Sequence, residues 1–100
     1  MAELGQIATK IRSKNAGPFW LTIDIFCPDR AAFDRVSEGL STDRVAALFR
    51  VPADTLKRFD IADLCVVKFS LPRPQVQGTG RDRDMHGAAW AVLLEEVEIN

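Results

Sequence analysis

Tyrosine is absent from this sequence, histidine occurs once and cysteine twice. One histidine cannot build the usual set of metal ligands without several carboxylate partners, so no metal site is expected. The two cysteines, Cys27 and Cys65, sit in separate apolar runs, which excludes the short spacing of a redox or zinc motif and predicts buried, reduced thiols. No apolar run approaches the roughly 20 residues that a membrane span needs. The opening Met1-Ala2-Glu3-Leu4-Gly5-Gln6 also lacks a basic segment leading into an apolar one, so a cytoplasmic location without a membrane partner is expected. There is no excess of positive charge either: the formal net charge is −1, which argues against general nucleic-acid binding while leaving room for a local basic patch. Gly78-Thr79-Gly80 lacks the downstream glycine and the preceding strand of a dinucleotide or phosphate loop, and no cofactor is expected.

What the chain does have is apolar pattern. With 47% hydrophobic residues in 100, it reads as one α+β domain spanning residues 1–100. The strongest signal is the run from Phe19 to Cys27, where Phe19, Leu21, Ile23 and Ile25 alternate with Trp20, Thr22, Asp24 and Phe26, the period of a strand. Leu4, Ile7, Ala8 and Ile11 recur at helical spacing and predict a short helix over Ala2 to Arg12, followed by a loop from Arg12 to Pro18. Pro28-Asp29 stops the central strand and caps a helix striped by Ala32, Phe33, Val36 and Leu40, which Gly39 ends. Ser41 caps the next helix, with Leu40 positioned to pack on Val45 and Leu48 and Phe49 continuing the buried side until Pro52. Thr55 to Ile61 suits an edge strand carrying the Lys57-Arg58 pair, and Leu64 to Leu71 alternates again. Pro72 to Arg83 reads as a loop, Met85 to Val92 as a short helix, and Leu93 to Ile99 as a last strand.

That order matches a ferredoxin-like, split β-α-β arrangement with helices on one face of an antiparallel sheet. Its first and third strands are central neighbours. The register in which every opposite pair matches sets Leu21 by Leu71, Ile23 by Phe69, Ile25 by Val67 and Cys27 by Cys65 on one face. On the other face it sets Thr22 by Ser70, Asp24 by Lys68 and Phe26 by Val66.

Such pairing brings the 12–18 and 72–83 loops to one rim, which collects Arg12, Lys14, Asn15, Arg73, Arg81 and Arg83 as candidate ligands for a carboxylate, a phosphate or an acyl-CoA. His86 is the one side chain suited to proton transfer, with Asp84 or Asp82 to orient it, although capping or packing at the start of a short helix is the commoner reason for a lone histidine. Asp24 sits mid-strand, where pairing to Lys68 accounts for it. The sheet face away from the helices carries Trp20, Phe26 and Val66, joined by Pro72 and Leu94, and reads as an interface with a second copy or a larger subunit unless the N-terminal helix folds across it.

The string Ile11-Arg12-Ser13-Lys14-Asn15-Ala16-Gly17-Pro18-Phe19, with Thr22-x-Asp24-Ile25 and Pro72-Arg73-Pro74, resembles a family of small bacterial proteins of unassigned function. Members accompany, or are fused to, proteins resembling the acyclic terpene utilisation protein A. Arg81-Asp82-Arg83-Asp84-Met85-His86-Gly87 looks like that family's Asp-x-x-Gly stretch. The resemblance implies a small accessory subunit of a two-component catabolic enzyme of lyase or hydratase type. The alternative is a non-catalytic ligand-sensing or protein-interaction module. A standalone enzyme fits least, because the chain offers one histidine and no nucleophile arrangement.

Overall fold

Alternation of apolar and polar residues decides the centre of the fold. In the computed structural model, which describes residues 2–17, 19–72 and 94–99, strand β3 spans Trp20–Phe26 and strand β5 spans Val66–Pro72. They pair antiparallel in the expected register, from Trp20 opposite Pro72 to Phe26 opposite Val66. Leu21, Ile23 and Ile25 of β3 and Val67, Phe69 and Leu71 of β5 are all fully buried. Beyond the ladder, the Cys27 amide still donates to the Cys65 carbonyl at 2.9 Å.

The helices that cover this face start where their caps predict. Helix α2 (Arg30–Gly39) begins after Asp29, whose carboxylate accepts from the Ala32 amide at 2.8 Å. Helix α3 (Thr42–Phe49) begins after Ser41, whose hydroxyl accepts from the Arg44 amide at 3.1 Å. Phe33, Val36 and Leu40 join Val45, Ala46 and Phe49 in one cluster with the inner residues of β3 and β5. The fold is therefore α+β, with helices on one face of an antiparallel sheet.

Two expectations give way at the ends of the chain. Residues 2–12 do not form one helix: Ala2–Glu3 is strand β1, Leu4–Ile7 a single turn of helix α1, and Lys10–Asn15 strand β2. An isolated helix of about 11 residues is marginal, particularly with a glycine inside it. In contrast, β2 gains a six-residue ladder on β3, from Lys10 opposite Phe26 to Asn15 opposite Leu21. Ile11 and Ser13 point inward while Lys10, Arg12 and Lys14 stay exposed, an alternation as clear as that of β3. The 12–18 loop is thus half strand, and its turn is tight: the Ala16 amide donates to the Trp20 carbonyl at 2.9 Å and Gly17 takes φ 86°.

At the other end the strand is short. Among the described residues 94–99, Glu98–Ile99 forms strand β6, which pairs with β1 in a separate two-stranded sheet. Leu94 is fully buried in the main cluster and does not join the outer sheet face. Leu4 belongs to the same cluster, so α1 packs with the core and leaves the outer face uncovered by itself. The larger sheet runs β2-β3-β5-β4, with β4 at Lys57–Ile61, so β2 occupies the place beside β3 that the ferredoxin-like order gives to a last strand.

Arg58 of β4 ties the sheet edge to α2. Its guanidinium donates to the carbonyls of Leu40 at 2.5 Å and Ser37 at 2.7 Å and to the Asp60 carboxylate at 2.8 Å. Asp60 also accepts from the Ser37 hydroxyl. A cation at the C-terminal carbonyls of a helix satisfies acceptors that have no intrahelical donor and sits at the negative end of the helix dipole.

Candidate functional site

The face of the sheet turned away from the helices is built by strand parity alone. Across β2, β3, β5 and β4 the register lines up Lys10, Phe26, Val66 and Ile61; then Arg12, Asp24, Lys68 and Phe59; then Lys14, Thr22, Ser70 and Lys57. Among the described residues this face holds Lys10, Arg12, Lys14, Lys57 and Lys68 against the single acid Asp24, although the chain as a whole has a net charge of −1. An open groove of about 590 Å³ runs along β2 and β3, lined by Ile11, Arg12, Ser13, Lys14, Asp24 and Phe26.

Asp24 lies opposite Lys68 on one side and Arg12 on the other. Neither pair closes to an ion pair; the ion pairs Arg30–Asp34 and Arg58–Asp60 both lie off this face. Lys10 stands over the Phe26 ring at 5.3 Å from its centroid. The Thr22 Oγ1 is buried without a hydrogen-bond partner.

Of the expected rim, Arg12 and Lys14 share the outer face, whereas Asn15 falls on the opposite parity, half-buried at the end of β2. Arg73, Arg81, Arg83 and His86 lie outside the described residues. Among the described residues the basic surface follows the strands. Lys10 became legible as an outward-facing position only once β2 was recognised as a strand in register with β3, and Lys57 only from the pairing of β4 with β5. Trp20, Phe26 and Val66 do share the outer face, with Trp20 41% exposed, Phe26 half-buried and Val66 buried. Phe59, 49% exposed, adds a second open aromatic on β4.

Cys27 is not poised for nucleophilic chemistry. Both cysteines are free and half-buried, less enclosed than expected. The Cys27 thiol is pushed up to about 11, chiefly by burial and further by the neighbouring Cys65 and Asp29. Cys27 should therefore alkylate with iodoacetamide at pH 8 at least roughly tenfold more slowly than a free thiol of ordinary pKa, as followed by mass spectrometry of the 27-containing peptide. Among the described residues no three His, Cys, Asp or Glu side chains converge as metal ligands. No helix among them is long and apolar enough to cross a membrane.

No curated protein and no solved structure matches the chain. Its sequence does match a described family over residues 4–98, nearly its whole length, including β2, β3 and the groove between them. The chain accordingly belongs to the family described as a domain of unknown function, DUF4387.

Proposed function

We propose that this chain is a small accessory subunit of a two-component catabolic enzyme of lyase or hydratase type, working beside a larger subunit that resembles the acyclic terpene utilisation protein A. Its part is to hold the anionic end of a carboxylic acid or acyl-CoA substrate. The observation that carries this reading is the pair Arg12 and Lys14, side by side on an edge strand along an open groove, with no ion-pair partner among the described residues. Guanidinium and ammonium groups in that setting are suited to carboxylates and phosphates, and a chain with so little catalytic chemistry of its own fits a supporting role.

Purifying this chain and the larger subunit separately and screening carboxylic acids and CoA esters tests the reading: activity should appear only in the mixture. Arg12→Ala with Lys14→Ala should lower substrate affinity roughly tenfold or more, because charge-assisted contacts to an anion are lost. The melting temperature should stay nearly constant, since exposed cations contribute little to folding. Full activity of either chain alone, or unchanged affinity in the double variant, would count against it.

The exposed Trp20 and Phe59 favour a second reading, a protein-interaction module. On that reading Trp20→Ala lowers assembly size in light scattering while the isolated domain keeps its melting temperature. A wild-type chain that is monomeric at high concentration and recovers no larger subunit removes it.

A further inference from the structure

The outer sheet face carries more positive charge than a single carboxylate would use. Five cations on three different strands face one acid, and none of the five forms an ion pair among the described residues. With neighbouring strands about 4.8 Å apart, Lys14 on β2 and Lys57 on β4 start roughly 14 Å from each other at the backbone, and their long side chains can close on a ligand lying across the sheet. Between them in the same cross-strand row lie the hydroxyls of Thr22 and Ser70. The Thr22 Oγ1, buried and without a partner, is a group that native structures normally satisfy. Lys68 stands in the next row beside Asp24.

We infer that this face binds an organic diphosphate, held between Lys14 and Lys57 with Ser70 supplying a hydroxyl donor, Thr22 adding a second once its side chain turns outward, and Lys68 and Arg12 flanking it. Two adjacent phosphoryl groups bring the several negative charges and many acceptor oxygens that the row can meet, whereas one carboxylate is met by Arg12 and Lys14 without Lys57 or Lys68. Asp24, at the centre of the neighbouring row, repels the anion from that position and keeps it on the Lys14 to Lys57 row. The inference deepens the proposed anion site and rests on that reading for Arg12 and Lys14, while Lys57, Lys68 and Thr22 enter only here.

Titration calorimetry with inorganic pyrophosphate and, separately, acetate tests it on the full chain. Pyrophosphate should bind at least tenfold tighter than acetate and weaken with added salt. Lys57→Ala with Lys68→Ala should reduce pyrophosphate affinity at least tenfold and leave acetate unchanged. If that double variant melts early, Lys57→Gln alone, on the exposed edge strand, should still weaken pyrophosphate several-fold. Pyrophosphate binding no tighter than acetate, or unaffected by a folded Lys57 variant, overturns the inference. Acetate binding that depends on Arg12 and Lys14 but not on Lys57 would leave the carboxylate reading standing without this one. Pyrophosphate binding without activity in the two-component mixture would do the reverse.

Discussion

Arg58→Met should destabilise the fold by about 2–3 kcal/mol, a fall in melting temperature of roughly 10–20 °C in a domain of this size. The variant keeps the aliphatic stem but removes the donors that reach the Leu40 and Ser37 carbonyls and the Asp60 carboxylate. The two carbonyls lie at the end of α2, where the backbone has no other donor to offer them. The Arg58 side chain is only 17% exposed, so water cannot fully replace it. The same substitution changes the response to acid. Burial alone would raise the Asp60 carboxyl, but the hydrogen bonds from Arg58 and Ser37, with the Arg58 charge, outweigh it and hold the group below its ordinary value of 3.8. A carboxyl depressed in the folded state contributes stability above its unfolded value and loses it as the pH falls through the folded one. Wild type should therefore lose stability on acidification below roughly pH 4, and Arg58→Met should lose less over the same range, as followed by thermal melts.

Phe69→Ala should cost about 3–5 kcal/mol, and Phe69→Leu markedly less, because the alanine leaves a cavity that a packed sheet cannot collapse to fill. Phe69 is fully buried, lies opposite Ile23 across β3 and opposite Arg58 across β4, and takes the Arg58 guanidinium over its ring at 5.5 Å. The ring thus supports the core and the arginine together. Urea titrations of Arg58→Met, Phe69→Ala and the double variant should give a double-variant cost below the sum of the single ones. Strict additivity would separate the two roles.

How much of this was legible follows from the range over which each signal acts. Asp29 and Ser41 cap their helices through hydrogen bonds three residues away, and that reach is visible in sequence. The β3 to β5 register was legible because both strands have one wholly apolar face, and a slip of one residue would turn it to solvent. Lys10 to Asn15 was less so, since Ile11 continues the helical spacing of Leu4, Ile7 and Ala8 as well as it begins a strand alternation. The ladder on β3 decides between the two, and a ladder is a tertiary fact. Arg58 read as an edge-strand charge because its partners on α2 lie 18 and 21 residues away. Leu94 is apolar under either face assignment, so pattern alone left its side of the sheet undetermined. Of the candidate site, Arg12 and Lys14 were legible as cations near the central strand, but their alignment with Thr22, Ser70 and Lys57 needed the full four-strand register.

The small sheet that joins β1 to β6 has a kinetic consequence. Pairing Ala2 with Ile99 closes a loop of almost the entire chain, an entropic cost of roughly 4 kcal/mol by logarithmic scaling, against a ladder of two residues and the Leu4 to Val97 hydrogen bond. That contact cannot nucleate folding. It forms after the β2–β3 hairpin and the helices have already drawn the two ends together, and it rewards them only then, through the burial of Leu4, Leu94 and Ile99. The segment should therefore close late in folding, and hydrogen exchange at the Leu4 amide, compared with that of the β3 amides, would show whether it also opens before the core.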